Sequence, residues 1–290
     1  MSPSVPAPSQ APMSARNSFL ELLARERAQA LLDQGTFREL LDPFERLESP
    51  WLEMQGIVPQ CDDGVIVARG RLDGKEALII AIEGAFQGGA VGEVSGEKIA
   101  TALELARHDC ERGSPVRPVL LLETGGVRLQ EGLLGEANMA RIHAELVALR
   151  SCIPVVGIIA GMVGCFGGMS ITAGLCSYLI STREGRLSLN GPAVIEEEAG
   201  LAEFDASDRP LIWSITGGEQ RVASGLLDLL VEDDLATVRQ ALLGCFACGF
   251  PNCSRSAQVQ EYRSRLMHLD LTNQLAPEAV RARLTQGRDT

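Results

Sequence analysis

Three observations predict an α/β fold built around a buried sheet. Two β-rich runs, 65–72 and 77–83, flank Asp73-Gly74, and an Asp-Gly pair between such runs is the strongest short hairpin cue. Strand and helix patterns then alternate, and the strands are near-continuous apolar runs, as in a sheet covered on both faces. Finally, Gly-Gly pairs stand at three successive strand-to-helix junctions.

The elements follow in order. Across 18–41 the apolar residues Phe19, Leu22, Leu23, Leu31, Leu32, Phe37, Leu40 and Leu41 recur at roughly helical spacing. Gly35 is expected to divide this arm into two short helices. After the hairpin, the pattern predicts helix 93–108, strand 118–123, helix 129–150, strand 153–160 and helix 168–176. Short strands at 178–181 and 186–189 follow, then a polar loop at 205–210, a strand at 226–231 and a helix at 235–246. The chain is expected to divide into a Pro-, Ser- and Ala-rich disordered extension (1–17), one domain with a helical arm (18–254) and a charged helical tail (255–290). Met13 is an alternative start. Nothing between these segments reads as a linker.

A chain of 290 residues can bury a sizeable core without staples. Its net charge of −12 argues against nucleic-acid binding, since phosphate contacts need a basic face. It leaves room for an anionic ligand at a helix N-terminus. The eight cysteines follow no secretion signal, so free thiols in a reducing cytoplasm are expected. The longest apolar run, 153–169, carries Gly157, Gly161, Gly164, Gly167 and Gly168, which rules it out as a bilayer span.

The three junctions are 83–93, around Gly88-Gly89; 122–131, around Gly125-Gly126; and 160–170, around Gly167-Gly168. Glycine there permits a tight turn and leaves backbone N–H groups uncovered. With a helix dipole behind them, such groups suit an oxyanion. A phosphate or plain close packing would also fit any one of them. No Gly-Lys-Ser/Thr follows, which excludes a Walker loop. Three alike, at strand C-terminal ends where α/β sites gather, favour a site.

With their flanking residues, these turns resemble the carboxyltransferase subunits of acyl-CoA carboxylases, within the crotonase-like superfamily. Phe86-Gln87-Gly88-Gly89-Ala90-Val91-Gly92-Glu93 is similar to that group's Phe-Met-Gly-Gly-Ser-Met-Gly-Ser. Thr124-Gly125-Gly126-Val127-Arg128-Leu129-Gln130-Glu131 resembles Ser-Gly-Gly-Ala-Arg-Met-Gln-Glu. Phe166-Gly167-Gly168-Met169-Ser170 resembles Thr-Gly-Gly-Val-Ser, and Gly191-Pro192-Ala193-Val194-Ile195-Glu196 resembles Gly-Pro-Arg-Val-Ile-Glu. The zinc ribbon of the bacterial acetyl-CoA carboxylase β subunit is missing, because the first hundred residues hold only Cys61. Trp213-Ser214-Ile215-Thr216-Gly217-Gly218-Glu219-Gln220-Arg221 is most similar to the β subunits of biotin-independent malonate decarboxylases.

The resemblance implies a crotonase-like spiral of ββα units, with an N-terminal helical arm and C-terminal helices. It implies loss of CO2 from a malonyl thioester through an enolate held by backbone donors, with no metal and no directly bound cofactor. The substrate would ride on the dephospho-CoA-like, phosphopantetheine-type arm of an acyl carrier protein. A γ subunit of the same fold and an acyl transferase α subunit complete the implied complex. Gly125, Gly126, Gly167 and Gly168 are the candidate catalytic residues; Gln87, Gly88, Gly89 and Arg128 are candidates along the arm. Arg128 could equally pair with Glu131. Glu93 and Glu123 read as helix-dipole partners rather than proton shuttles. His108, His143 and His268 read as solvated, and Cys165 as a buried thiol. Cys245, Cys248 and Cys253 have a partial zinc-ligand spacing, with His268 a conceivable fourth. Two other functions remain open: a carboxyltransferase passing CO2 to or from biotin, and a non-catalytic assembly subunit.

Overall fold

The computed structural model describes residues 17–267, 269 and 275–286; the expected extension, but for Asn17, and His268 lie outside them. Seven strands form one sheet in chain order: β1 (Arg38–Leu40), β2 (Val65–Leu72), β3 (Lys75–Ile82), β4 (Arg117–Leu121), β5 (Val156–Ile159), β6 (Tyr178–Thr182) and β7 (Leu229–Val231). β1, β2 and β3 pair antiparallel; β3 through β7 pair parallel. The expected hairpin joins β2 to β3, with Val65 opposite Ile82 and Leu72 opposite Lys75. Asp73 (φ 53°) and Gly74 (φ 71°) both take the positive φ of the turn that matches strand twist.

The helices are α1 (Ala24–Leu31), α2 (Pro50–Glu53), α3 (Glu93–Glu111), α4 (Leu133–Leu149), α5 (Gly168–Leu175), α6 (Pro192–Ala199), α7 (Arg209–Thr216), α8 (Gly218–Ser224), α9 (Leu235–Cys248), α10 (Val259–Met267) and α11 (Pro277–Gln286). On one face of the sheet, Val67, Leu78, Ile80 and Leu120 pack against Ile99 and Leu103 of α3, Ile142 and Leu146 of α4, and Met169 of α5. On the other, Ile66, Ile79, Val119 and Ile158 meet Ala28 and Leu31 of α1 and Val238 and Leu242 of α9. Each fully buried aliphatic side chain here contributes about 1.5–3 kcal/mol.

Three expectations change. The second piece of the arm is not a helix: past Gly35 (φ 75°) the chain extends into β1 and pairs with β2. Residues 186–189 make single bridges rather than a strand. Not all the thiols are free, because Cys110 at the end of α3 and Cys152 after α4 form a disulfide, with Cα atoms 6.4 Å apart. Among the described residues, no helix is long and apolar enough to cross a membrane.

Candidate active site

Beyond the C-terminal ends of β3, β4 and β5 the chain keeps pairing in a short second tier. Val91 bridges Val127, Thr124 bridges Cys165, and Cys165 bridges Leu187. This tier presses the three glycine turns together. A Cβ at Gly89 would stand 2.0 Å from the Glu123 carbonyl oxygen, and one at Gly126 would stand 3.1 Å from Gly167 Cα. Gly126 (φ 109°) and Gly167 (φ 60°) also hold backbone conformations that side chains disfavour. The structure therefore brings Gly125, Gly126, Gly167 and Gly168 together, with Gly88 and Gly89 braced beneath: Gly125 N–H donates to Gly88 O at 2.8 Å.

The amides of these residues differ in availability. Gly167 N–H donates to Leu189 O at 2.8 Å, and Gly126 N–H to Thr124 Oγ1 at 3.0 Å. The N–H groups of Val127, Gly168 and Met169 have no acceptor among the described residues. Gly168 and Met169 open α5, where first-turn amides have no intrahelical partner and the dipole favours negative charge. Val127 escaped the sequence reading, which looked for donors on the glycines. The glycines supply the close approach, and the residue after the second pair presents an unpaired donor.

Arg128 does not project toward a ligand. Its side chain is fully buried and donates to Asp63 Oδ1 (2.6 Å), Glu131 Oε1 (2.9 Å) and Ala90 O (3.0 Å). The structural pairing with Glu131 is thus the role its geometry supports. Glu131 also accepts from Ser49 Oγ (2.6 Å) and from Glu93 N–H, so it ties α2 and α3 to the second turn. Burial alone would raise its carboxyl, but the bonds from Ser49, Glu93 N–H and Arg128 together hold it below its ordinary 4.5.

The other candidates separate cleanly. Glu93 accepts from Trp51 Nε1 at 2.5 Å in the first turn of α3. Glu123 is buried and paired with Arg27 of the arm. His108 stands in the last turn of α3. His143, expected on a solvated face, is half-buried, with Nε2 3.2 Å from Gly168 O and 3.0 Å from Thr172 Oγ1; burial lowers its pKa. Cys165 donates to Met169 O (3.3 Å), and burial pushes its thiol far up. Cys245 is buried while Cys248 and Cys253 are exposed. Among the described residues, no three His, Cys, Asp or Glu side chains converge as metal ligands would.

Residues 20–248 match the carboxyl transferase domain. The chain belongs to the carboxyl transferase family. Among carboxyl transferase relatives, it is 39% identical over 233 residues to the malonyl-S-ACP:biotin-protein carboxyltransferase MADC of Malonomonas rubra, a match spanning 77% of this chain and 73% of that protein. A chain of the Pseudomonas malonate decarboxylase hetero-tetramer in complex with malonate superposes with a TM-score of 0.90 at 62% identity, covering 93% of this chain and 98% of that one. A chain of the Pseudomonas MdcD–MdcE hetero-dimer superposes with a TM-score of 0.73 at 55% identity, covering 87% and 97%. The fold is accordingly crotonase-like, as the carboxyl transferase resemblance implied.

Proposed function

We propose that this chain is a malonate decarboxylase subunit that releases CO2 from a malonyl thioester on an acyl carrier protein, working with a γ-type subunit of the same fold. The observation that carries this reading is the meeting of the second and third turns, which sets the unpaired amides of Val127 and Gly168 beside the Gly126–Gly167 contact. In the reaction the bond to the carboxyl carbon breaks and CO2 leaves. The electron pair left behind spreads into the thioester carbonyl as an enolate, and a proton then completes the acetyl group. The charge that builds on the thioester oxygen is what preorganised N–H donors stabilise, each by about 2.7–4 kcal/mol. Because the thioester serves as the electron sink, no bound cofactor is required for this chemistry.

Gly88 has open space around its Cα, which suits the passage of the carrier's phosphopantetheine-type, dephospho-CoA-like arm past Gln87 and Gly88. Gly89 is packed against the second turn instead. Exposed Leu129, Leu133, Met162 and Leu189 flank the turns in the chain, an apolar rim suited to a second subunit. An acyl transferase α subunit would load the carrier.

Gly168→Pro tests the donor directly. Proline at the first position of a helix is tolerated, yet it deletes that one N–H. We expect a folded complex whose kcat falls roughly 10²–10³-fold; unchanged turnover would remove Gly168 from the site. The name of the Malonomonas relative favours a second reading, transfer of CO2 to biotin. Malonyl-thioester decarboxylation by the assembled complex in the presence of avidin separates the two, because only the biotin route is blocked. No CO2 release at all would favour a purely structural subunit.

A further inference from the structure

The tip of the third turn, Gly161 to Gly164, is gripped from both sides by buried or half-buried charges. Glu123 Oε1 accepts from the N–H groups of Met162 (2.7 Å) and Val163 (3.3 Å). Arg186 Nη2 donates to the carbonyl oxygens of the same two residues, at 2.5 and 2.8 Å. Both N–H and both C=O groups of a two-residue tip are thereby held by two side chains from separate segments. The Met162 side chain itself is 70% exposed, so apolar packing does not fix the tip.

Both charges are themselves braced. Glu123 pairs with Arg27, whose guanidinium also donates to Phe19 O (2.9 Å), Leu20 O (2.6 Å) and Ala160 O (3.0 Å). Arg186 lies 4.3 Å from the Trp213 ring centroid and 5.6 Å from that of Phe166. Trp213 in turn donates to Glu184 O (3.1 Å). The glycines at the tip's two ends make room for this. A Cβ at Gly161 would lie 2.1 Å from the Glu123 carboxyl carbon, and one at Gly164 would lie 2.9 Å from Arg186 O.

From the tip, the hydrogen bonds lead on to the oxyanion donors. Gly164 O accepts from Thr124 N–H (2.7 Å), and Thr124 O accepts from Phe166 N–H (2.9 Å). Thr124 Oγ1 holds Gly126 N–H. Orientation of the tip therefore sets the second and third turns relative to each other, which is where the unpaired amides of Val127 and Gly168 sit.

We infer that Glu123 and Arg186 are positioning residues for the decarboxylation site, with Trp213 of the 213–221 motif steadying Arg186. This rests on the functional reading above. Neither residue touches substrate; each acts by fixing the two glycine turns at the spacing the enolate needs. Misplacement of reacting groups by about an ångström costs up to roughly 10²-fold in rate, and burial of two such charges is costly unless their hydrogen bonds are used.

The test uses the complex with its γ-type partner and malonyl-loaded carrier protein. It compares wild type, Glu123→Gln, Arg186→Met and Arg186→Lys. We expect kcat to fall roughly tenfold to a hundredfold in Glu123→Gln and Arg186→Met, with KM within about twofold. Arg186→Lys keeps a charged donor nitrogen that can serve both carbonyls, though without the guanidinium plane that stacks on Trp213, and should recover part of the loss. Circular dichroism and complex formation should match wild type. Unchanged kcat in the folded variants, or a rise in KM at constant kcat, overturns the positioning role alone. A wild-type complex that releases no CO2 overturns the functional reading and this inference with it.

Discussion

Arg128 shows how much of this site's architecture rests on single charged side chains. It is wholly enclosed with Asp63 and Glu131, and removing one member of such a group leaves a buried charge unpaired. Arg128→Ala should cost about 3–5 kcal/mol, read as a lower urea midpoint at unchanged slope; a loss below 1 kcal/mol would mean the charges find water. Glu131 gives the pH dependence its sign. A carboxyl held below its ordinary 4.5 in the folded state contributes stability that is full above that value and is lost as pH falls through the folded pKa. Glu131→Gln should therefore be less stable at neutral pH and flatten the acid limb of stability below about pH 4.5; parallel acid limbs would contradict it. The Arg128–Glu131 pairing was legible as an i, i+3 spacing. Asp63, 65 positions away in sequence, was not, because nothing local marks which distant carboxylate a buried arginine meets. The same holds for Arg27 and Glu123, although a lone carboxylate ending the apolar run 118–122 was a signal that a partner had to exist.

At the scale of elements, periodicity and turn chemistry carried most of the fold. The Asp73-Gly74 hairpin and the helices behind each glycine turn follow from local rules that tertiary contacts reinforce. β1 escaped because Phe37, Leu40 and Leu41 fit helical spacing as well as a short strand, and its three backbone pairings to β2 are a long-range event. Cys110 and Cys152 also belong here, since they tie the ends of α3 and α4, the helices behind the first two turns. Closing a loop of 42 residues should stabilise the fold by about 2–4 kcal/mol. Thiol labelling of the unfolded, unreduced chain should find six reactive cysteines among the described residues, and adding reductant should lower the urea midpoint. Eight labelled thiols with no shift on reduction would dispose of the bond.

For the whole molecule, the parallel part of the sheet gathers its strand C-termini along one rim, which makes the site's location readable from strand order alone. Its chemistry was readable only through resemblance, since a glycine turn can serve phosphate, oxyanion or packing equally. The exposed rim of Leu129, Leu133, Met162 and Leu189 predicts that a γ-type partner binds over the turns. Leu133→Asp should weaken co-purification with that partner while leaving the isolated chain's unfolding free energy within about 0.5 kcal/mol of wild type; retained partner binding would place the interface elsewhere.

The arm that carries Arg27 is fastened at its beginning to the junction of β7 and α9. Asn17 O accepts from Leu235 N–H (2.9 Å), and Asp233 takes Ser18 Oγ (2.5 Å) and the N–H groups of Phe19 and Leu20. Contacts across more than two hundred residues form late, because the intervening chain must be ordered first. The clasp at 17–20 can therefore close only once Asp233 and Leu235 have been made, whereas α1 behind it packs on β2 and β3, which follow it closely in the chain. The first turn of the arm is thus locked by residues that directly follow β7 (Leu229–Val231), so one clasp joins the start of the domain to the completion of its sheet.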